Sequence, residues 1–197
     1  MYFERPEINR AEIFRKVNAP EDLASFMKAY IKYGFVGKKD GKIYSPEFEG
    51  WGQGEQPEQG LQDPENLLVS GYGTCWEQTE LEKQWFVEHN IEFKTFLFMF
   101  GPDISQKHPA HTFLAFRKDD KWYWLENTLD GHNGIQEFGS LEELTEVVKK
   151  VVTDNAVRNG ATEEDVSQGR LLEYDISVHG VSPQEFVGRI MAVGEGK

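Results

Sequence analysis

The chain has 197 residues, 39% of them hydrophobic and 13% aromatic, and carries a net charge of −13. That length and composition fit one globular domain with a core of its own. The negative charge argues against a nucleic-acid partner, because like charges repel. Cys75 is the only cysteine, which rules out an intramolecular disulfide, a multi-cysteine zinc site and a CxxC redox pair.

The first residues, MYFERPEINR, are charged early and lack the apolar core of a signal peptide. No apolar run approaches the roughly 20 residues that span a bilayer. Both observations lead to an expectation of a cytoplasmic protein without membrane association. Pro6 to Val17 reads as a helix. A second begins at Asn18-Ala19-Pro20-Glu21-Asp22, with proline and acids in the first turn, and ends at Gly34. Ser45 to Asn66 is rich in Gly, Pro, Gln and Glu without periodicity and reads as a long loop. Between Ile43 and Glu82 there are nine acidic residues and no Lys or Arg, so the approach to Cys75 reads as acidic.

Gly71-Tyr72-Gly73 breaks the chain, and a helix follows over roughly Cys75 to His89. Ile91 to Phe100, His111 to Lys118 and Lys121 to Thr128 read as strands, the last two joined as a hairpin at Asp119-Asp120. Leu141 to Val152 reads as a helix capped by Ser140, followed by a polar loop from Asn159-Gly160. Leu171 to Val178 is an expected strand, Pro183 to Ile190 a short helix, and the Gly-rich end is expected to fray. The expected architecture is α+β in a single domain. It has a helical part (1–42), an acidic loop (43–70), a core (71–138) and a C-terminal part of helices and a strand (139–197).

Thr74-Cys75-Trp76-Glu77 fits the S/T-x-x-E capping box, which places Cys75 at the first helical position. There the helix dipole and unpaired backbone N–H groups favour a thiolate, and the Cys75 backbone could hold a developing oxyanion. Glu77, Glu80 and Glu82 oppose that charge, so a basic partner is required. The hairpin supplies one. If it turns at Asp119-Asp120, Lys118 faces Lys121, Phe113 faces Glu126 and His111 faces Thr128. Glu126 is then the diagonal neighbour of His111 on the same face, about 7–8 Å away at Cα and within reach of a long side chain. Phe113, Ala115 and Trp124 share that face, with Ala115 opposite Trp124. A histidine and a glutamate on an apolar face need each other. Asp130 lies on the other diagonal and is the alternative acid, within a segment that reads as a turn. His108 reads as a loop residue, and His89 and His179 have no nameable partner. A thiol needs a base, and the base needs a third group to orient it. Cys75, His111 and Glu126 supply the three.

At Gly73-Thr74-Cys75, His111-Thr112-Phe113 and Trp122-x-x-x-Glu126 the sequence resembles the transglutaminase-like superfamily, with its papain-like Cys-His-acid core. The resemblance covers roughly Gly71 to Thr128. It implies a nucleophile helix packed on an antiparallel sheet, with Cys75 as nucleophile, His111 as base and Glu126 in the position where the family usually has Asp. It also implies an oxyanion-stabilising tryptophan upstream, for which Trp51 is the candidate. The expected function is acyl transfer at an amide bond of a peptide or protein, as a peptidase, amidase or transglutaminase. The acidic approach favours a basic substrate. A catalytically inactive binding module of the same fold is the alternative, and an acyl-carrier-dependent N-acyltransferase lacks the phosphate cradle it would need. No metal or other cofactor is expected, since no EF-hand or HExxH spacing occurs.

Overall fold

A computed structural model describes residues 9–49, 57–101, 110–177 and 179–194. Among these residues it is a mixed α+β structure built on a five-stranded antiparallel sheet. The sheet order is β8 (Gly134–Phe138), β7 (Lys121–Glu126), β6 (Ala110–Lys118), β5 (Phe93–Met99) and β9 (Arg170–Tyr174). Consecutive strands β5 to β8 form a meander, and β9 returns to pair with β5.

The β6–β7 hairpin turns at Asp119 and Asp120, whose φ values are 51° and 62°. Two consecutive positive φ values match a two-residue turn whose twist fits the flanking strands. The register is the expected one: Lys118 pairs with Lys121 and Ala115 with Trp124. Alternation then divides the sheet into two faces. Leu114, Phe116 and Leu125 face α4 (Cys75–Glu88), where they pack with Leu81, Trp85 and Phe86. Phe113, Ala115 and Trp124 face the other way, onto Leu144, Val148 and Val152 of α5 (Leu141–Arg158). Trp85 and Trp124 have no exposed surface, and truncating either would cost about 3–5 kcal/mol. The sheet is therefore sandwiched between two helices, and α4 is buried on nearly every side.

Ahead of the sheet lie α1 (Arg10–Phe14), α2 (Pro20–Tyr30) and α3 (Pro64–Ser70). The chain leaves α2 into β1 (Lys32–Tyr33) and leaves α3 into β4 (Tyr72–Gly73), and these two short strands pair in parallel. Lys32 pairs with Tyr72, and Tyr33 with Gly73. Arg10 ties the two helix ends together: Nε donates to Tyr30 O (3.1 Å) and Nη1 to Val69 O (3.0 Å). The guanidinium lies against Gly71, whose φ is +71°, and a Cβ there would meet Arg10 Cζ at 2.7 Å. Both the backbone angle and the close approach require glycine. The remaining elements are the β2–β3 ladder (Phe35–Val36 with Ile43–Tyr44), α6 (Glu163–Val166) and α7 (Pro183–Gly194).

Several expectations are revised. The long loop from Ser45 to Asn66 ends early, because Asp63 accepts from Asn66 N and Pro64 occupies the first helical turn, which starts α3. The expected helix from Pro6 is the shorter α1, with residues 6–8 outside the described part. The polar loop after Asn159 contains α6, opened by Thr162, and α5 runs past Val152 to Arg158. β8 is an edge strand that the sequence reading did not include. No helix among the described residues is long and apolar enough to cross a membrane.

Candidate active site

β6 begins and β7 ends at the same edge of the sheet, so His111 and Glu126 sit at neighbouring strand ends. Their side chains meet as the diagonal pairing predicts, His111 Nε2 lying 2.8 Å from Glu126 Oε2. The second carboxylate oxygen accepts from Leu129 N (2.9 Å), Thr128 Oγ1 (2.8 Å) and Thr128 N. The extra methylene of glutamate relative to aspartate is thus used: one oxygen reaches the imidazole while the other is held by the segment that follows β7.

Cys75 opens α4 behind the N-cap Thr74. The carboxylate arm of the capping box is in place, with Glu77 Oε2 accepting from Thr74 N (2.9 Å) and Thr74 Oγ1 (2.7 Å). Gln59 Nε2 donates to Glu77 Oε1 and Thr74 Oγ1, both at 3.0 Å, anchoring the loop to the helix start. Gly73 lets the chain enter there, since a Cβ would meet Leu67 Cδ1 at 2.7 Å. The Cys75 thiol interacts with the His111 ring. Because Nε2 is engaged by Glu126, Nδ1 is the nitrogen left for sulfur.

Burial pulls the His111 pKa down, but the Glu126 carboxylate and the Cys75 side chain outweigh it and raise it to about 10. Burial pushes Glu126 up, yet His111 and the Thr128 donors more than offset this, and its pKa ends below the usual carboxylate value. An imidazolium–carboxylate pair is the consistent description at neutral pH. Cys75, His111 and Glu126 are each more than nine-tenths buried. Cys75 and His111 nonetheless line a cleft of about 830 Å³. Lys28, Ile31, Lys32 and Tyr33 line it together with residues of α5 and of the Thr128–Asp130 segment.

Asp130, the alternative acid, lies on the exposed cleft rim, while Glu126 takes the imidazole. Trp51 and His108 fall outside the described residues. His89 stacks on Trp85 with ring centroids 3.9 Å apart, and its Nδ1 lies 2.8 Å from Trp85 O, so it has a structural partner after all. Among the described residues, the acids of this approach take different roles. Glu47 pairs with Lys32 (2.9 Å) and Glu58 with Lys38 (2.8 Å), Asp63 caps α3, and Glu77, Glu80 and Glu82 are buried. Lys28, Lys32, Glu47 and Asp130 all line the cleft.

Two groups near the site, one of them read from the sequence only as an acid of the Cys75 helix, hold positions that the sequence does not show. Glu82, two turns along α4 from Cys75, is buried and accepts from Asn127 Nδ2 at 2.9 Å. Burial, followed by the nearby Glu126 charge, pushes its pKa well above the usual carboxylate value. Tyr33 reaches the site through the parallel β1–β4 pairing, which joins residues forty positions apart and leaves no local sequence signal. The sequence shows no match to any family model and none to any curated protein.

Proposed function

We propose that this chain is a cysteine-dependent acyl-transfer enzyme that cleaves an amide bond through a thioester, on a papain- and transglutaminase-like framework. The observation that carries this reading is that Cys75 and His111 line one cleft, with the imidazole held from behind by the buried Glu126 carboxylate at 2.8 Å. An antiparallel sheet with the cysteine helix packed on it supports the framework.

The Cys75 sulfur, having given its proton to His111, attacks the carbonyl carbon, and the C=O electron pair moves onto oxygen. The imidazolium then protonates the amide nitrogen, the C–N bond breaks and an amine leaves, which yields the thioester. His111, now neutral, takes a proton from water as the water oxygen adds to the thioester carbon. The C–S bond breaks, the acid is released and sulfur recovers the pair. Glu126 keeps the imidazole oriented and stabilises its charged form throughout. Water suffices as the acyl acceptor, and an amine in its place would give transamidation by the same steps.

The deciding experiment is the rate of Cys75 alkylation by iodoacetamide as a function of pH, in the wild type and in His111→Ala. The wild type should react well below the free-thiol pKa of about 8.5, and His111→Ala should lose that low-pH limb. An inert Cys75, or a profile indifferent to His111, would sink the catalytic reading and leave the binding module.

A further inference from the structure

Acyl transfer places negative charge on the former carbonyl oxygen, and a site for it needs donors aimed at that atom. The backbone N–H of Cys75 at the start of α4 is one. A side-chain donor should project from an element fixed relative to Cys75 and reach the same cleft without belonging to the Cys-His-Glu array. Tyr33 meets these conditions. Its strand is held to the segment leading into α4, with Tyr33 paired to Gly73, two residues before the nucleophile. Lys32 N donates to Gly71 O (2.8 Å) and Gly34 N to Gly73 O (3.4 Å), which bracket Tyr33 on both sides. Tyr33 lines the cleft together with Cys75 and His111.

We propose that the Tyr33 hydroxyl is a catalytic donor of this site, hydrogen-bonding the oxyanion that forms when Cys75 attacks an acyl group. This rests on the acyl-transfer reading above and adds a residue to it. The residue is 42% exposed overall, but its hydroxyl is the sheltered end. Burial, and then the charges of Cys75, Glu77 and Glu126, raise the phenol pKa, so the group remains an O–H donor at every pH at which the enzyme would work. As the sulfur–carbon bond forms, negative charge leaves sulfur for the carbonyl oxygen, and a donor lining the cleft can follow it. No proton is transferred by Tyr33, and no co-reactant is needed.

The position also bears on substrate choice. Tyr33 lines the cleft with Lys28 and Ile31, so on this proposal the acyl oxygen points toward β1 and the leaving group toward His111.

The test compares two reactions of the same thiol in the full chain. Iodoacetamide alkylates sulfur by displacement and builds no oxyanion, whereas p-nitrophenyl acetate acylates it through one. In Tyr33→Phe the alkylation rate and its pH profile should match the wild type, while the p-nitrophenolate burst should slow by about 10²-fold. Equal acylation rates in the two proteins would overturn the proposal. So would equal slowing of both reactions, which would make Tyr33 a support for the thiol rather than a donor to oxyanion. A wild-type thiol no more reactive than free cysteine would instead bring down the underlying active-site reading. Near-UV circular dichroism, matched between the two proteins, excludes a folding defect as the cause of any loss.

Discussion

Two glutamates lie near the same imidazole, and both are almost wholly out of water: Glu126 at the end of β7 and Glu82 on α4. Their environments differ in one respect. Glu126 accepts from His111 and from three donors of Thr128 and Leu129, whereas Glu82 accepts from Asn127 alone among the described residues. Burial pushes both pKa values up, but only Glu126 has enough donors and positive charge to reverse the push. The comparison teaches that depth does not set the charge of a carboxylate. Its neighbours do, the His111 charge first and the donors after it, and they lower the pKa of one carboxylate while that of the other stays raised.

The strongest way to break the comparison is Glu126→Ala. It leaves a buried imidazole and the Thr128 and Leu129 donors without their acceptor, and should cost about 3–5 kcal/mol in urea unfolding while removing the low-pH limb of Cys75 alkylation. A loss under about 1 kcal/mol would mean that the pair is ornamental to the fold.

Glu82→Gln sharpens it. The signs follow from the shifts. His111, with a folded pKa near 10 against about 6.5 unfolded, adds stability that is complete below about pH 6.5 and fades as pH rises through about 10. Glu126, depressed in the fold, adds stability above the ordinary carboxylate range, lost on acidification. Glu82, raised in the fold, adds stability that is complete below its unfolded value near 4.5 and is lost as pH climbs toward its folded one. Wild-type melting temperature should therefore be highest in mildly acidic buffer and decline toward alkaline pH. Glu82→Gln should match the wild type near pH 5 and exceed it at pH 8, where the native carboxyl is under pressure to ionise. Parallel curves for the two proteins would show that Glu82 carries its charge without cost.

The smallest effect belongs to the surface. Lys121 pairs with Glu137 on the exposed β7–β8 edge, and Lys121→Ala should leave the melting temperature unchanged within error. A clear drop there would show that solvent screening has been overestimated.

The register of the β6–β7 hairpin was legible because its information is local. Asp119-Asp120 marks the turn, alternation assigns the faces, and counting back from the turn brings His111 to Glu126. The Cys75 helix was legible for the same reason, since Thr74 and Glu77 sit at capping spacing. β8 was not, because Gly-Ile-Gln-Glu-Phe is short, half-buried and at a sheet edge, so it shows no clean alternation. α3 hid inside a polar composition, although Asp63-Pro64 states its start. The nine acids between Ile43 and Glu82 were legible as a count but not in where each of them sits. Acids on an exposed helix repel a thiolate, but α4 is buried on nearly every side, and burial raises the pKa of Glu77 and Glu82 away from the charged form. The β1–β4 pairing, which brings Tyr33 to the site, is two residues long and depends wholly on packing between distant segments.

That pairing gives Arg10 a reach well beyond its own helix. The guanidinium grips the carbonyl ends of α2 and α3 at the points where each helix hands the chain to β1 or β4. It works as a hinge pin between two rods, with Tyr33 on the tip of one and Cys75 just past the tip of the other. The aperture of the cleft is thereby gauged from a residue that contributes no surface to it. Removing the Arg10 guanidinium is therefore expected to alter the spacing between Tyr33 and the nucleophile while leaving the cleft side chains themselves unchanged.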